Sequence, residues 1–173
     1  SEKDSDKSSA STIASEETER SLQYVKDNAI PLDYKTVFRN PDQYIGQYYF
    51  VDVKIYTVEK GSWISGYENA YKSYTKGEYD IWMGDLIYLL DKRKPTDIGY
   101  VKILEDDIVR VYGKFTGLVE TKNFLNGTKS EEMSLEVIYT ELQSSSEQEP
   151  TVTPDPIIDV EVLSEYTLPD GIG

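Results

Sequence analysis

Hydrophobic and polar positions alternate with a period of two along much of this chain, and that period predicts strands. Tyr49, Val51, Val53 and Ile55 share one face of a segment spanning 48–58, with Asp52, Lys54 and Tyr56 on the other. Val109 and Val111 alternate with Arg110 and Tyr112 across 108–115, and Met133, Leu135 and Val137 share one face of 133–142. Short apolar runs at 79–82 and 86–91, split by Gly84-Asp85, predict two further strands. The interior of such a fold should hold Val51, Val53, Ile55, Leu89, Val109, Val111, Leu135 and Val137. Gly113 falls within its strand, which signals a bulge or a sharp bend. Asn126-Gly127 has the sequence of a type I′ hairpin turn.

Helical signals are fewer and lie early. Leu22, Val25 and Ala29 recur at helical spacing, and Glu16, Glu17 and Glu19 suit the positive end of a helix over 16–28. Asp33 is a good N-cap for a second helix, Tyr34–Arg39. Asn40-Pro41 then opens a turn that Gly46 ends. Residues 59–79, rich in Gly, Ser, Tyr and Lys, read as a long loop or ragged hairpin. The predicted fold class is all-β with minor α: a five-stranded OB-like barrel preceded by one or two short helices, with an SH3-like barrel as the competing arrangement.

The ends carry a different pattern. Residues 1–15 are Ser-rich and charged, with little apolar surface to bury, and read as a disordered tether. The barrel domain then spans 16–143. Residues 144–173 begin as a stiff Pro-rich acidic linker. Beyond it Ile158, Val160, Val162 and Tyr166 alternate with Asp159, Glu161, Leu163 and Glu165, a strand-like extension expected to pair with an exposed sheet edge.

Charge and composition narrow the chemistry. The chain of 173 residues carries a net charge of −14, divided as −3 over 1–21, −4 over 22–143 and −7 over 144–173. Lys92-Arg93-Lys94 is the one basic cluster of the middle, and a solvated turn beside a strand explains it. A phosphate backbone needs more cationic surface than this. No stretch is long and apolar enough for a membrane span. His and Cys are absent. That removes the side-chain nitrogen and sulfur ligands of zinc, copper and iron–sulfur sites, and the Ser–His and Cys–His nucleophilic pairs. No metal site and no cofactor is expected.

Two motifs are weak. Ser73-Tyr74-Thr75-Lys76 matches the S-x-x-K of acyl enzymes, but it lies in a Gly/Tyr-rich stretch without partner motifs. Glu105-Asp106-Asp107 offers oxygens to a hard cation, yet lacks the ligand spacing of a calcium loop and reads as a turn.

The aromatics carry more. Of fifteen Tyr, two Trp and four Phe, ten crowd the first strand and the 59–85 region: Tyr48, Tyr49, Phe50, Tyr56, Trp63, Tyr67, Tyr71, Tyr74, Tyr79 and Trp82. Tyr56, Trp63, Tyr67, Tyr71 and Trp82 form the candidate ligand face, where Tyr and Trp could stack on a sugar or grip a peptide. The competing explanation is that tyrosine supplies the surface of a half-buried sheet.

Two stretches resemble a known family. Asp33-Tyr-Lys-Thr-Val-Phe-Arg-Asn-Pro-Asp-Gln-Tyr-Ile-Gly-Gln and Ile103-Leu-Glu-Asp-Asp-Ile-Val-Arg-Val-Tyr-Gly-Lys-Phe-Thr-Gly-Leu are similar to the OB-fold, anticodon-binding-like domains of Gram-positive secreted lipoproteins. The resemblance covers roughly 33–142. It departs at Val53, where the family usually carries Gly, and near Glu136, where it usually carries Pro. It implies an OB fold and an extracytoplasmic place at the cell surface, anchored by an upstream lipid. On this basis the chain is expected to be a non-enzymatic binding or interaction module for a surface protein or glycan. The alternative is a carbohydrate- or peptidoglycan-associated enzyme accessory, or a weak hydrolase using carboxylates.

The charge distribution yields a first prediction. Fluorescence anisotropy with a labelled random oligonucleotide should show no micromolar binding at physiological salt. Salt-sensitive micromolar binding would contradict it.

Overall fold

A computed structural model describes residues 2–60, 64 and 66–144, with side chains from Thr12 on. The chain is mostly β-sheet with two α-helices. The strands are β1 (Ile30–Pro31), β2 (Tyr48–Lys60), β3 (Asn69–Thr75), β4 (Leu86–Asp91), β5 (Ile108–Lys114), β6 (Val119–Lys122) and β7 (Lys129–Ser144). The helices are α1 (Glu2–Asn28) and α2 (Tyr34–Arg39).

Five strands close into a ring in the order β2-β3-β4-β7-β5 and back to β2. Four of these pairings are antiparallel, and β4 lies parallel to β7. That Greek-key order with a parallel closure is the one expected of an OB-like ring. Three register shifts and the added β1 and β6 make it less regular than a clean barrel.

The interior follows the period of two. Val53, Ile55, Leu89, Val109, Val111, Leu135 and Val137 are buried, with Tyr49, Ile87, Phe115 and Met133. Val51 differs, being half-buried and packed against this core. Arg110 and Tyr112 face outward, so the predicted register holds. At Gly113 the β5–β7 register slips: Tyr112 pairs with Tyr139 and Gly113 with Val137. A Cβ on Gly113 would lie 2.9 Å from the carbonyl oxygen of Glu136, so only glycine fits this crossing.

Several elements differ from the sequence reading. Residues 69–75, read as part of a long loop or ragged hairpin, are strand β3, paired antiparallel with β2 as the hairpin alternative has it. Its inward positions are Tyr71 and Ser73, and the Ser73 hydroxyl donates to the Ile87 carbonyl at 2.8 Å. A core serine satisfied this way hides the apolar period. Residues 79–82, read as a strand, contain a 3-10 turn, Glu78–Asp80, with Tyr79 and Asp80 both at φ 59°. Two consecutive left-handed residues are incompatible with a strand. The Asn126-Gly127 turn is not type I′, because Gly127 has positive φ and Asn126 does not. The connection is a longer loop in which the Gly127 amide donates to the Asn123 carbonyl. Strand β6, paired to β7, was not anticipated.

Helix α1 begins at Glu2 rather than at residue 16, so the stretch read as a tether is helical. No Gly or Pro falls within it to break the helix. Its last turns dock on the ring: Val25 is buried, and the Lys26 ammonium sits 3.1 Å from Glu141 and 4.6 Å from the ring centre of Tyr139. Asp33 caps α2 as predicted, accepting from the Thr36 amide at 3.2 Å and the Thr36 hydroxyl at 2.7 Å. The extension at 157–166 and its expected edge pairing lie outside the described residues.

Among the described residues two carboxylates are buried, Asp91 and Asp107, and Asp91 anchors the ring. The Asp91 carboxylate is fully buried and accepts from Tyr71 Oη, the Arg93 amide and two guanidinium nitrogens of Arg93. Val111→Ala should destabilise the protein by about 1–3 kcal/mol, from lost transfer energy and residual cavity. Asp91→Ala strands a buried guanidinium and should cost more, about 3–5 kcal/mol. Urea denaturation of the two variants checks the order.

Candidate ligand-binding face

The outer face of β2, β3 and β4 owes its shape to one inserted residue. Ile55 pairs with Ser73 and Thr57 with Lys72, which leaves Tyr56 as the extra residue of a bulge. Tyr56 faces outward, as its alternation with buried Ile55 requires, and is 59% exposed. Its ring meets Tyr74 edge to face, with centroids 5.8 Å apart, and the Lys72 ammonium lies 5.5 Å from its centre. Register places Tyr74 opposite Lys54 and Lys72 opposite Tyr88. The outer strip is therefore Tyr56, Lys72, Tyr74 and Tyr88.

A pinched loop between β3 and β4 walls one side. The Gly84 amide donates to the Thr75 carbonyl at 2.8 Å, and the Asp85 amide to the Thr75 hydroxyl at 2.8 Å. A Cβ on Gly84 would stand 2.7 Å from that hydroxyl, so the neck requires glycine. Past the neck, Lys76 spans Asp80 at 3.6 Å and the Trp82 ring at 5.6 Å. The left-handed Tyr79 and Asp80 hold the loop apex in a costly conformation, a feature common at recognition sites. The result is a cleft of about 430 Å³ lined by Lys54, Tyr56, Tyr74, Ile81, Trp82 and Asp106, among others.

The opposite flank is made by the β6–β7 hairpin. A second cleft, about 480 Å³, lies among Glu59, Tyr88, Lys122 and Phe124. Burial, with the nearby carboxylates Glu132 and Glu59, pushes the Tyr88 phenol above the ordinary tyrosine range. Phe124 and Leu125 at the hairpin tip are almost wholly exposed. The two clefts thus flank one aromatic strip.

The five residues expected to form a ligand face are scattered. Tyr56 and Trp82 come together in the first cleft. Tyr71 is a core residue, 1% exposed, and its phenol is pushed far up by burial and by Asp91. It offers nothing to a ligand. Tyr67 reaches across β4 to Glu136 of β7, donating at 3.0 Å, and Lys92 meets the same carboxylate at 2.8 Å. Glu136 stands opposite Leu90, and both Leu90 and Ala70 are buried although alternation puts them on the outer face. Tyr67 is thus part of a strap over the sheet. Trp63 lies outside the described residues. Tyr74, one of the crowded aromatics but not one of the five, joins the site, as do Tyr88 and Phe124, which were not singled out. The period of two through β3 was the signal that would have placed Tyr74 beside Tyr56.

The weak motifs resolve into structure. Ser73 is buried with its hydroxyl engaged, so it is no nucleophile, and Lys76 belongs to the Trp82 cleft. Asp106 has φ 69° in the turn before β5, and Asp107 accepts from the Leu104 amide at 2.8 Å. Among the described residues no group of three or more acidic side chains is placed to hold a metal ion. No described helix is long and apolar enough to cross a membrane. Comparison with protein-family models, curated proteins and solved structures finds no match to this chain.

The strap gives a pH prediction. Burial acts to raise the Glu136 carboxyl, but the bonds from Lys92 and Tyr67 outweigh it and hold its pKa below the usual glutamate range. A depressed folded-state pKa contributes stability above the unfolded value, which is lost as pH falls through the folded one. Tyr67→Phe should therefore cost about 1–2 kcal/mol at pH 7. That cost should shrink only as pH falls past the ordinary glutamate value and through the depressed one, where Glu136 takes up its proton. Thermal melts of both proteins at pH 7 and pH 3 check it.

Proposed function

We propose that this chain is a non-enzymatic binding module whose ligand lies along the strip between the Trp82 cleft and the Phe124 hairpin. The observation that carries this reading is the Tyr56–Tyr74–Trp82 cleft: three aromatic walls, a constrained loop and lysines at the rim. Aromatic side chains give large contact area at small entropic cost, and an OB-like ring offers ligands this outer face and the adjoining loops. An extended peptide segment of a partner protein suits a long, half-open strip better than a compact metabolite. The resemblance of 33–142 to secreted lipoprotein domains adds location: an extracytoplasmic module held at a bacterial surface.

The hydrolase reading has one point in its favour, since Asp80 and Asp106 line the same cleft as Trp82. Each, however, is ion-paired, Asp80 to Lys76 at 3.6 Å and Asp106 to Lys54 at 4.0 Å, with side chains 89% and 70% exposed. A glycosidase general acid needs burial to keep its proton, and neither site provides it.

Selection from a displayed peptide library tests the module. Enriched peptides should lose about tenfold or more in affinity against Trp82→Ala and Tyr74→Ala, since an aromatic at a pocket centre is worth about 2 kcal/mol. Melting temperatures should stay near that of the parent. Failure to enrich, or enrichment indifferent to both substitutions, overturns the proposal. Release of reducing sugar from peptidoglycan that Asp80→Asn or Asp106→Asn abolishes would install the hydrolase in its place.

A further inference from the structure

The last described residue of β7 lies near the Trp82 cleft. Strand β7 ends at Ser144, which pairs with Ile108, and Ile108 pairs with Lys54. Lys54 lines the cleft, as does Asp106, two residues before Ile108. Ser144 therefore stands two strand spacings, about 10 Å, from the cleft wall. From Ser144 to Pro150 an extended chain spans up to about 20 Å. The stretch 150–156 then places Pro150, Pro154 and Pro156 within seven residues.

The chemistry matches as well as the reach. Proline-rich segments take a preformed extended helix that costs little to order, and they dock between aromatic side chains. Tyr56, Tyr74 and Trp82 provide such walls. The segment 147–156 carries Glu147, Glu149 and Asp155 and no basic residue. The cleft's neighbourhood carries Lys54, Lys72 and Lys76. The partners of Lys54 and Lys76 are exposed carboxylates, Asp106 and Asp80, so these ammonium groups can exchange partners at small cost.

We propose that the acidic, proline-rich segment 147–156 occupies the Trp82 cleft of its own chain and competes there with an external ligand. This rests on the reading of that cleft as a recognition surface. It makes the module self-limiting: a partner must displace the tethered segment, whose local concentration is set by the short link from Ser144.

The absence of cysteine allows a single nitroxide label at Thr153→Cys in the full chain. Paramagnetic broadening of amide and indole resonances then reports where the segment sits. The Trp82 indole and the Tyr56 and Tyr74 amides should lose at least twice the intensity lost at Lys26 and Glu141, the ion pair where α1 docks on β7. Adding Pro150→Ala, Pro154→Ala and Pro156→Ala together should remove that difference, and so should Trp82→Ala. Equal broadening on both sides of the exit, or a difference that survives the proline substitutions, overturns the proposal. So does broadening that appears only when labelled and isotope-enriched chains are mixed, which would make the occupant a second copy. The readout needs no external ligand. Loss of tail docking with intact Trp82-dependent peptide capture would refute this inference and leave the binding module standing. Tail docking with no peptide capture would do the reverse.

Discussion

The buried Asp91–Arg93 pair is the interaction on which the ring's geometry turns. Asp91 closes β4, the strand that must lie parallel to β7 for five strands to meet. Its carboxylate gathers Tyr71 from β3 and the guanidinium and amide of Arg93, while Arg93 reaches Thr140 on β7 at 3.3 Å. Three adjacent strands are therefore fixed by one set of charge-assisted bonds. The Asp91 carbonyl also accepts from the Glu68 amide, which anchors the chain as it enters β3. A buried ion pair contributes little net stability against an apolar alternative, because desolvation offsets the attraction. Its effect here is on register, since the donors match Asp91 in one alignment only.

The register so fixed decides what the outer surface shows. With Tyr71 committed inward, Lys72 and Tyr74 must face outward, and Tyr88 and Leu86 follow across β4. Tyr56, at the bulge, adds one more ring to the same strip. The strap of Tyr67, Glu136 and Lys92 covers the far end of this surface, and the Gly77–Gly84 neck raises the loop that walls the near end. What remains open is a strip between two clefts, aromatic in its floor and lined with lysine. That strip is a by-product of how a small closed sheet resolves its inward and outward positions.

Much of this was legible in the residues. The period of two over β2, β5 and β7 set both strand and register, because side chains on a pleated sheet alternate strictly. Asp33 announced the start of α2, and Gly113 announced a bulge, since each has a local physical cause. The all-β class follows from the same alternation, but the five-strand count rested on 79–82, which is a turn, and missed β3. Charge and the missing His and Cys bounded the chemistry without any structure, because a side chain that is absent cannot act.

Other features were decided only by tertiary contacts. Tyr71 and Tyr74 look alike in sequence, three residues apart in a polar stretch, yet one is core and the other is site. The difference lies in Asp91 and in the hydroxyl of Ser73 bonding to Ile87, partners distant along the chain. Trp82 and Tyr56 meet because a two-glycine neck folds the 76–85 loop back, and no local pattern encodes that approach. Strand β6 exists because β7 extends beyond β4 and leaves an edge for it to pair with. The sequence by itself determined the buried faces of β2, β5 and β7 and which side-chain chemistries are missing. Tertiary structure decided which aromatics share a surface, because that depends on register between strands rather than on period within one.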